Sequence, residues 1–236
     1  MKYGQVISGV FLSRPNRFIA KIAVNGVEKT VHVKNTGRCA ELLVPGCTVY
    51  LARGEAPGRK TEYDLIATRK ERDGQEPLLI NMDSQVVNDV AAEYLATGSV
   101  LPVGSHIRRE VVYGDSRFDF YLENGMRKAF VEVKGVTLER DGVAAFPDAP
   151  TLRGVKHIRE LERAVGEGYE AYLLFIVQMR GVHVLRPNDA THKAFGEALR
   201  HAAAHGVRVL AVDAVVTPDS ILPGSPVAVD LTEYLP

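Results

Sequence analysis

The sequence predicts a mixed α+β protein in two parts: a small β-barrel over residues 1–80, and a domain over residues 81–236 in which helices flank a mixed sheet. Three observations predict this class. Residues 1–80 contain short alternating apolar runs separated by turn residues, as small barrels do. Beyond residue 80, strand patterns alternate with helical ones, which is typical of a sheet covered by helices. The charge also divides there, since residues 1–80 carry 13 basic and 8 acidic side chains and the remainder carries 16 and 21.

Five strands fit the first part, and the pair joined by Asn25-Gly26 is the clearest. Both residues of a tight hairpin turn must accept positive φ, which asparagine and glycine do most readily. Five strands in about 80 residues suit an OB-like barrel, although an SH3-like barrel would give much the same pattern. The expected strands span residues 5–12, 18–24, 27–33, 48–52 and 63–70.

In the second part, apolar residues at helical spacing predict a helix from the Asp83-Ser84 cap region to Leu95, followed by Gly98 as a stop. Gly206 is expected to end another helix. The remaining helices are expected at residues 151–165 and 189–205, and the strands at 109–113, 117–123, 128–136, 171–177, 182–185 and 207–212.

Composition limits the function classes. The chain is 46% hydrophobic and 25% charged, like an ordinary globular protein. No apolar run reaches the ~18–20 residues that cross a bilayer and no signal-peptide pattern opens the chain, so a cytoplasmic location and no membrane partner are expected. Cys39 and Cys47 are too few for a disulfide scaffold or a structural zinc site. The sequence contains no phosphate-binding loop, esterase or dinucleotide-binding signature.

The most informative stretch is a predicted hairpin over residues 117–136. With Asn124-Gly125 centred in its turn, Asp119 is expected to pair across from Phe130, with Glu132 as its diagonal neighbour on the same sheet face. The two-residue period of a strand adds Lys134 to that face. Phe118, Phe120, Val131 and Val133 are expected to form the opposite, apolar face. Three ionisable groups therefore converge.

Two neighbouring carboxylates repel each other unless a hard cation such as Mg²⁺ or Mn²⁺ lies between them. Asp119 and Glu132 are thus candidate metal ligands, with the backbone carbonyl of Val133 as a third. Lys134 is placed to hold a water molecule or to stabilise charge on a phosphoryl oxygen. This set indicates a metal-dependent phosphodiesterase. The alternative is a solvated strand face with an incidental salt bridge.

A basic helix start follows the hairpin. Arg153, Gly154, Lys156 and His157 occupy the first turn of the helix expected at 151–165. Positive side chains at the positive end of a helix are unfavourable without an anion, and glycine there suggests close approach of a ligand or another backbone. A bound phosphate would explain both features. Alternatively, Gly154 packs against the sheet and the basic residues are solvated.

These residues resemble the sugar fermentation stimulation protein A family, and the likeness covers essentially the whole chain. The motifs that carry it are Arg14-Pro-Asn-Arg-Phe18, Asn35-Thr-Gly37, Tyr113-Gly-Asp-Ser-Arg-Phe-Asp-Phe120, Val131-Glu-Val-Lys-Gly-Val-Thr-Leu138, Phe146-Pro-Asp-Ala-Pro-Thr151, Arg153-Gly154 and Lys156-His157. The resemblance implies an OB-like domain joined to a restriction-endonuclease-like PD-(D/E)xK domain. DNA binding is the family's usual description, and nuclease activity is an inference from the motif.

Carried over by position, the resemblance makes Asp119 the metal-binding acid, Glu132 the second carboxylate and Lys134 the catalytic lysine. Glu93 would be the helix-borne acid that some nucleases of this class add, and Gln178 a strand residue near the site. The alternatives are a solvated Glu93 and a Gln178 that caps a strand end.

The barrel offers basic residues and aromatic rings for nucleic acid. OB barrels bind single strands by combining positive charge with stacking platforms. Phe11, Phe18 and Tyr50 are the nearby aromatic residues, although small barrels also use such rings as core. Lys34 stands where the family pattern has proline, and it is expected to add a phosphate contact. The candidate groove consists of Arg14, Arg17, Lys34, Asn35 and Arg38.

We therefore expect a DNA-binding protein with a metal-dependent nuclease site, using Mg²⁺ or Mn²⁺ and acting on single- or double-stranded DNA. The alternatives are a non-catalytic DNA-binding regulator linked to sugar metabolism, and an enzyme acting on RNA or a small phosphodiester. A homodimer is compatible with cutting both strands of a duplex. His201 and His205 lie four residues apart but lack the glutamate of an H-E-x-x-H motif, and the sequence alone predicts no metal site there.

Overall fold

The computed structural model describes residues 1–35, 37–54 and 57–233. Among these residues, six strands form the first sheet, in the order β3-β2-β1-β4-β5-β6, and a parallel pairing of β3 with β5 closes it into a barrel. Asn25 and Gly26 both have positive φ, of 50° and 78°, which confirms the predicted hairpin. The strands are β1 (Val6–Asn16), β2 (Ile19–Val24), β3 (Val27–Val33), β4 (Thr48–Arg53), β5 (Tyr63–Arg72) and β6 (Gln75–Asn81).

The second sheet is mixed, as predicted. Its order is β10-β11-β13-β15-β14-β12-β9-β8-β7, with parallel strands at its centre and an antiparallel hairpin at one edge. Its strands are β7 (His106–Tyr113), β8 (Ser116–Asn124), β9 (Arg127–Val136), β10 (Glu139–Arg140), β11 (Val143–Phe146), β12 (Glu170–Val177), β13 (Val184–Pro187), β14 (Arg208–Thr217) and β15 (Ser220–Val229). The helices of the described chain are α1 (Val87–Ala96), α2 (Leu152–Gly166) and α3 (Asp189–Ala204).

Helices cover both faces of this sheet. Val90 of α1 lies in one buried cluster with Leu174 of β12. Ile158 of α2 and Phe195 of α3 lie in the other cluster with Phe175, the next residue of β12. Because alternate side chains of a buried strand point to opposite faces, the buried part of β12, from Ala171 to Val177, supports a core on either side.

Strands β6, β10, β11 and β15 were not predicted. Strands β6 and β15 contain prolines, at Pro77 in β6 and at Pro223 and Pro226 in β15, which weaken a strand pattern because proline donates no ladder hydrogen bond. Strand β10 is two residues long, too short to leave a pattern.

Helix α1 begins at Val87 and not in the predicted cap region. The Asp83 Oδ1 atom accepts the Gln85 N–H at 2.9 Å, so this carboxylate stabilises a turn before the helix and caps no helical N–H.

The two sheets share one buried cluster, in which Leu42 and Ile80 of the first part lie with Val136 of the second. Lys70 adds an ion pair to Glu139 at 2.6 Å. A backbone hydrogen bond also joins the two parts, since the Tyr3 N–H donates to the Asp219 carbonyl at 2.8 Å. No helix in the described ranges is both long and apolar enough to span a bilayer.

Candidate active site

The β8–β9 hairpin carries Asp119, Glu132 and Lys134, as predicted. The pairing of its two strands is shifted by two residues from the predicted register. Asn124 pairs with Arg127, so the turn is Gly125-Met126, and Gly125 supplies positive φ (58°) at its first position. Tyr121, and not Asp119 as predicted, pairs with Phe130. A shift of two does not by itself move side chains to the other face of the sheet, and Asp119, Glu132 and Lys134 all line one cleft.

The alternation of β8 breaks at Asp119. Phe120 lies in the cluster of α1, whereas Phe118 lies in the cluster of α2 and packs on Phe130. The prediction that Phe118 and Phe120 share a face was therefore wrong. The β8–β9 pairing ends at Phe120 and Val131, and beyond it the Asp119 Oδ2 atom accepts the Val133 N–H at 2.7 Å. The carboxylate of Asp119 thus binds the neighbouring strand directly.

Glu132 is buried, with 3% of its surface exposed. Its Oε1 atom accepts hydrogen bonds from Lys134 Nζ and from His157 Nδ1 on α2. Its Oε2 atom is also buried and has no hydrogen-bond partner. Burial by itself raises the pKa of Glu132, but the His157 hydrogen bond and the Lys134 charge outweigh it and hold that pKa below its ordinary value. Glu132 therefore stays ionised, with one oxygen unsatisfied.

Asp119 shows the opposite shift. Burial raises its pKa, and the negative charge of Glu132 raises it further. Hydrogen bonds from the Val133 N–H and from Asn88 Nδ2, the latter at 2.8 Å, oppose that rise without cancelling it. The raised pKa of Asp119 therefore reflects burial first and repulsion from the ionised Glu132 second.

These groups line an open cleft of about 480 Å³ between the two parts of the chain. Gln178 also lines it and donates from Nε2 to the carbonyls of Asn81 and Asp83, each at 3.1 Å. Gly135 allows this arrangement, because a Cβ atom there would lie 2.6 Å from Gln178 Oε1 and 2.9 Å from Val87 Cγ2. From the barrel, Asn35 reaches the same cleft.

Helix α2 departs from the phosphate-binding expectation at its first turn. The Thr151 side chain caps it by accepting the Gly154 N–H at 3.0 Å. A Cβ atom on Gly154 would meet Thr151 at 2.9 Å and the Phe195 ring of α3 at 3.1 Å, so packing between helices accounts for this glycine without a ligand. His157 is buried against Glu132, and Lys156 Nζ donates to the Asp115 carbonyl at 2.8 Å. Arg153 lines the cleft and is exposed.

Glu93 does not lie among the residues that line the cleft. Its carboxylate binds the amino group of Met1 at 2.8 Å, so the geometry does not support the expected metal-ligand role.

Arg14 and Lys34 do not present free charge to a groove. Lys34 Nζ pairs with Asp83 at 3.0 Å and with Asp64 at 3.5 Å. The Arg14 guanidinium donates at 2.7–2.9 Å to the backbone carbonyls of Arg17, Asn35, Gly37 and Arg38. Both side chains are thus engaged with protein partners, and this geometry does not favour the phosphate contacts expected of them.

Arg17 and Arg38 are exposed, as nucleic-acid contacts would require. The Arg17 guanidinium lies 4.8 Å from the centre of the Phe18 ring, which is 44% exposed. Phe11 is buried in the barrel core. The ring at position 18 is therefore accessible beside the Arg17 guanidinium, whereas the ring at position 11 is not accessible.

Sequence reasoning missed Asn88 and Asp148 as site residues. Asn88 was visible only as a polar position on an amphipathic helix, and Asp148 only as part of a family-like motif. In the structure Asn88 binds Asp119, and Asp148 lines the cleft beside Gly37, where a Cβ atom would lie 2.0 Å from Asp148 Oδ2.

The fold and site together define a class: a closed barrel joined to a mixed-sheet domain with an acidic, lysine-containing cleft at their junction. Two family models match this division, the SfsA N-terminal OB domain over residues 12–76 and the sugar fermentation stimulation protein RE domain over residues 85–220. The chain belongs to the sugar fermentation stimulation protein family. The OB assignment is thereby confirmed over the SH3-like alternative.

Relatives match along nearly their whole length. A sugar fermentation stimulation protein homolog of Desulfitobacterium hafniense (strain Y51) is 58% identical over 233 residues, which cover 99% of this chain and 100% of the relative. A homolog of Clostridium beijerinckii is 50% identical over 221 residues, covering 94% of this chain and 96% of the relative. The solved structure of Pyrococcus furiosus SfsA in complex with Ca²⁺ superposes with a TM-score of 0.84 at 27% identity, covering 98% of each chain.

Proposed function

We propose that this protein is a metal-dependent phosphodiesterase that acts on DNA. The observation that supports this most directly is the Glu132 Oε2 atom, which is buried without a partner beside Asp119 and Lys134 in an open cleft. A buried, unsatisfied carboxylate oxygen is unfavourable unless something binds it.

A hard divalent cation fits these residues. The carboxylates of Asp119 and Glu132, with the backbone carbonyl of Val133, offer the oxygen ligands that Mg²⁺ and Mn²⁺ prefer. A cation there would relieve the repulsion that raises the pKa of Asp119. The solved structure of the Pyrococcus furiosus relative is a complex with Ca²⁺, another cation that prefers oxygen ligands, which is consistent with such a site. A bound ion supplies electrostatic stabilisation of a phosphoryl oxygen and lowers the pKa of a water molecule.

Side chains of the chain itself supply the remaining functions. Hydrolysis of a phosphodiester forms a bond from a water oxygen to phosphorus, breaks one ester P–O bond and delivers a proton to the departing oxygen. Lys134 Nζ, which donates a hydrogen bond to Glu132, is placed to orient the water or to stabilise charge on the phosphoryl group. His157 fixes the Glu132 carboxylate from α2 and acts as a positioning residue.

The surface around the cleft favours a long substrate. A second depression, of about 430 Å³, shares Leu138, Ala145 and Asp148 with the 480 Å³ cleft. A third, of about 420 Å³ on the barrel, shares Arg38 with the second. These connected depressions lead from the carboxylates towards the barrel strand β1, as a groove for a polymer would.

Cleavage assays with Lys134→Ala test the proposal, and Lys128→Ala is the matched control because Lys128 is exposed on the same strand β9. Plasmid and single-stranded DNA are incubated with each protein and Mg²⁺, Mn²⁺ or chelator. We expect the unmodified protein and the control to cut only with metal, and the Lys134 variant to lose at least ~100-fold in rate.

The same assay distinguishes the alternative functions. If none of the proteins cuts, yet all bind DNA with an affinity that falls steeply as salt rises, the chain is a binding module and the enzyme proposal is wrong. Parallel assays on RNA and on a small phosphodiester identify the substrate class, and faster cleavage of either than of DNA would overturn the DNA assignment.

A further inference from the structure

A second cluster of metal-binding side chains lies outside the cleft, between α2 and α3. Glu162 of α2 faces His201 of α3 and His205, the residue that ends α3. One ligand atom from each of the three lies within 4.8 Å of the others. The sequence shows only the histidine pair, because the acidic partner comes from a helix 39 residues earlier in the chain.

The three side chains already lie next to one another. His201 Nδ1 lies 3.1 Å from Glu162 Oε2, and His205 Nδ1 lies 3.9 Å from Glu162 Oε1. The two rings stack with their centres 4.2 Å apart, because residues four apart lie on one side of a helix. Both carboxylate oxygens of Glu162 therefore face an imidazole ring.

A hydrogen bond to the backbone also orients the ring of His205. His205 Nδ1 donates to the His201 carbonyl at 2.8 Å, which fixes the proton on that nitrogen and leaves the lone pair on Nε2. A hydrogen bond from one ring nitrogen to a backbone carbonyl is the usual support for a histidine that binds metal through the other.

We propose that Glu162, His201 and His205 form a surface site for a borderline divalent transition cation, with Zn²⁺ the best fit. Two imidazoles, one carboxylate and a water molecule make the four-coordinate donor set that Zn²⁺ accepts, whereas Mg²⁺ prefers oxygen ligands alone. A tetrahedral ion with bonds of about 2.0–2.1 Å needs ligand atoms about 3.3 Å apart. The side chains are 27%, 61% and 56% exposed, so they have the freedom to close that gap.

A metal ion bound at this site would link two helices. Glu162 belongs to α2, which also carries His157 against Glu132 in the cleft, whereas the two histidines belong to α3 and its end. A ligand that binds only the folded protein stabilises it, and here it would do so by linking α2 to α3.

Zinc titration of the full chain by calorimetry tests this inference. The double variant His201→Gln, His205→Gln removes the site, and His106→Gln is the matched control because His106 is an exposed histidine on β7. We expect the double variant to lose one Zn²⁺ or to bind it at least about tenfold more weakly, and the control to bind as the unmodified protein does. Zn²⁺ should also raise the melting temperature of the unmodified protein, and this rise should shrink in the double variant.

The cleft offers a competing site for Zn²⁺, so the titration is repeated on Glu132→Gln. Retention of the histidine-dependent site in that variant separates this inference from the proposed active site, and the DNA-cleavage result does not affect it. If the unmodified protein binds no Zn²⁺, or if the folded double variant binds it with unchanged number and affinity, the inference is wrong.

Discussion

Replacing Lys34 by methionine tests whether this lysine supports the fold or contacts a phosphate. Its ammonium lies 3.0 Å from Asp83 and 3.5 Å from Asp64. Asp83 is 0% exposed, Asp64 is 6% exposed, and the lysine side chain is 19% exposed. Asp64 keeps Arg59 as a partner after the substitution, whereas Asp83 loses its ion pair.

Removing one partner of a buried ion pair costs about 3–5 kcal/mol, and the partial exposure of Lys34 places it near the lower limit. For a chain of this size, 1 kcal/mol corresponds to about 2–4 °C in melting temperature, so we expect Lys34→Met to melt roughly 6–12 °C lower. Lys21→Met is the matched control, because Lys21 forms an exposed pair with Glu28 at 3.2 Å and its loss should cost at most about 1 kcal/mol.

The measurements are thermal and urea unfolding followed by circular dichroism, together with DNA binding at several salt concentrations. If Lys34→Met unfolds like the unmodified protein and instead binds DNA more weakly with a shallower salt dependence, then Lys34 is a phosphate contact and the structural argument fails.

Two further substitutions test the packing and charge of the sheet domain. Gly135→Ala should destabilise the protein by about 1–3 kcal/mol in urea unfolding and slow cleavage, because its Cβ would push against Gln178. In Gly166→Ala the added Cβ meets nothing within 4 Å, so this substitution at the end of α2 should be neutral or stabilise by up to about 1 kcal/mol, and an equal loss of stability in both variants would contradict the argument. Hydrogen bonding to Arg127 lowers the pKa of Glu170 to about 2, so its stabilisation is complete above its ordinary pKa of 4.5 and is lost as the pH falls towards 2. Glu170→Gln should therefore flatten the fall in melting temperature over that range, and an unchanged acid profile would rule this out.

The parts of the site that lie on one hairpin could be predicted from sequence. Asp119, Glu132 and Lys134 lie on the two strands of one tight hairpin, so the hairpin brings them close together although the register differs by two residues and the alternation of β8 breaks at Asp119. The position of His157 against Glu132 depends on how α2 packs on the sheet, which no local pattern encodes. It was expected at a phosphate and instead supports a carboxylate.

The partners of Lys34 and Arg14 could not be predicted from sequence. A pattern reveals that a side chain is positive but not which acceptors the fold places beside it. The partner of Lys34 lies 49 residues away, and Arg14 binds carbonyls of a loop more than 20 residues further on. For Arg17, the side chain is exposed in the structure, as the sequence-based expectation of a binding surface requires.

The hydrogen bond from the Tyr3 N–H to the Asp219 carbonyl joins two residues that lie 216 positions apart in the sequence. Contacts of such long sequence separation form late and slow the search for the native state. We therefore expect a variant truncated before residue 219 to leave residues 1–3 undocked and to be cut there more readily in limited proteolysis.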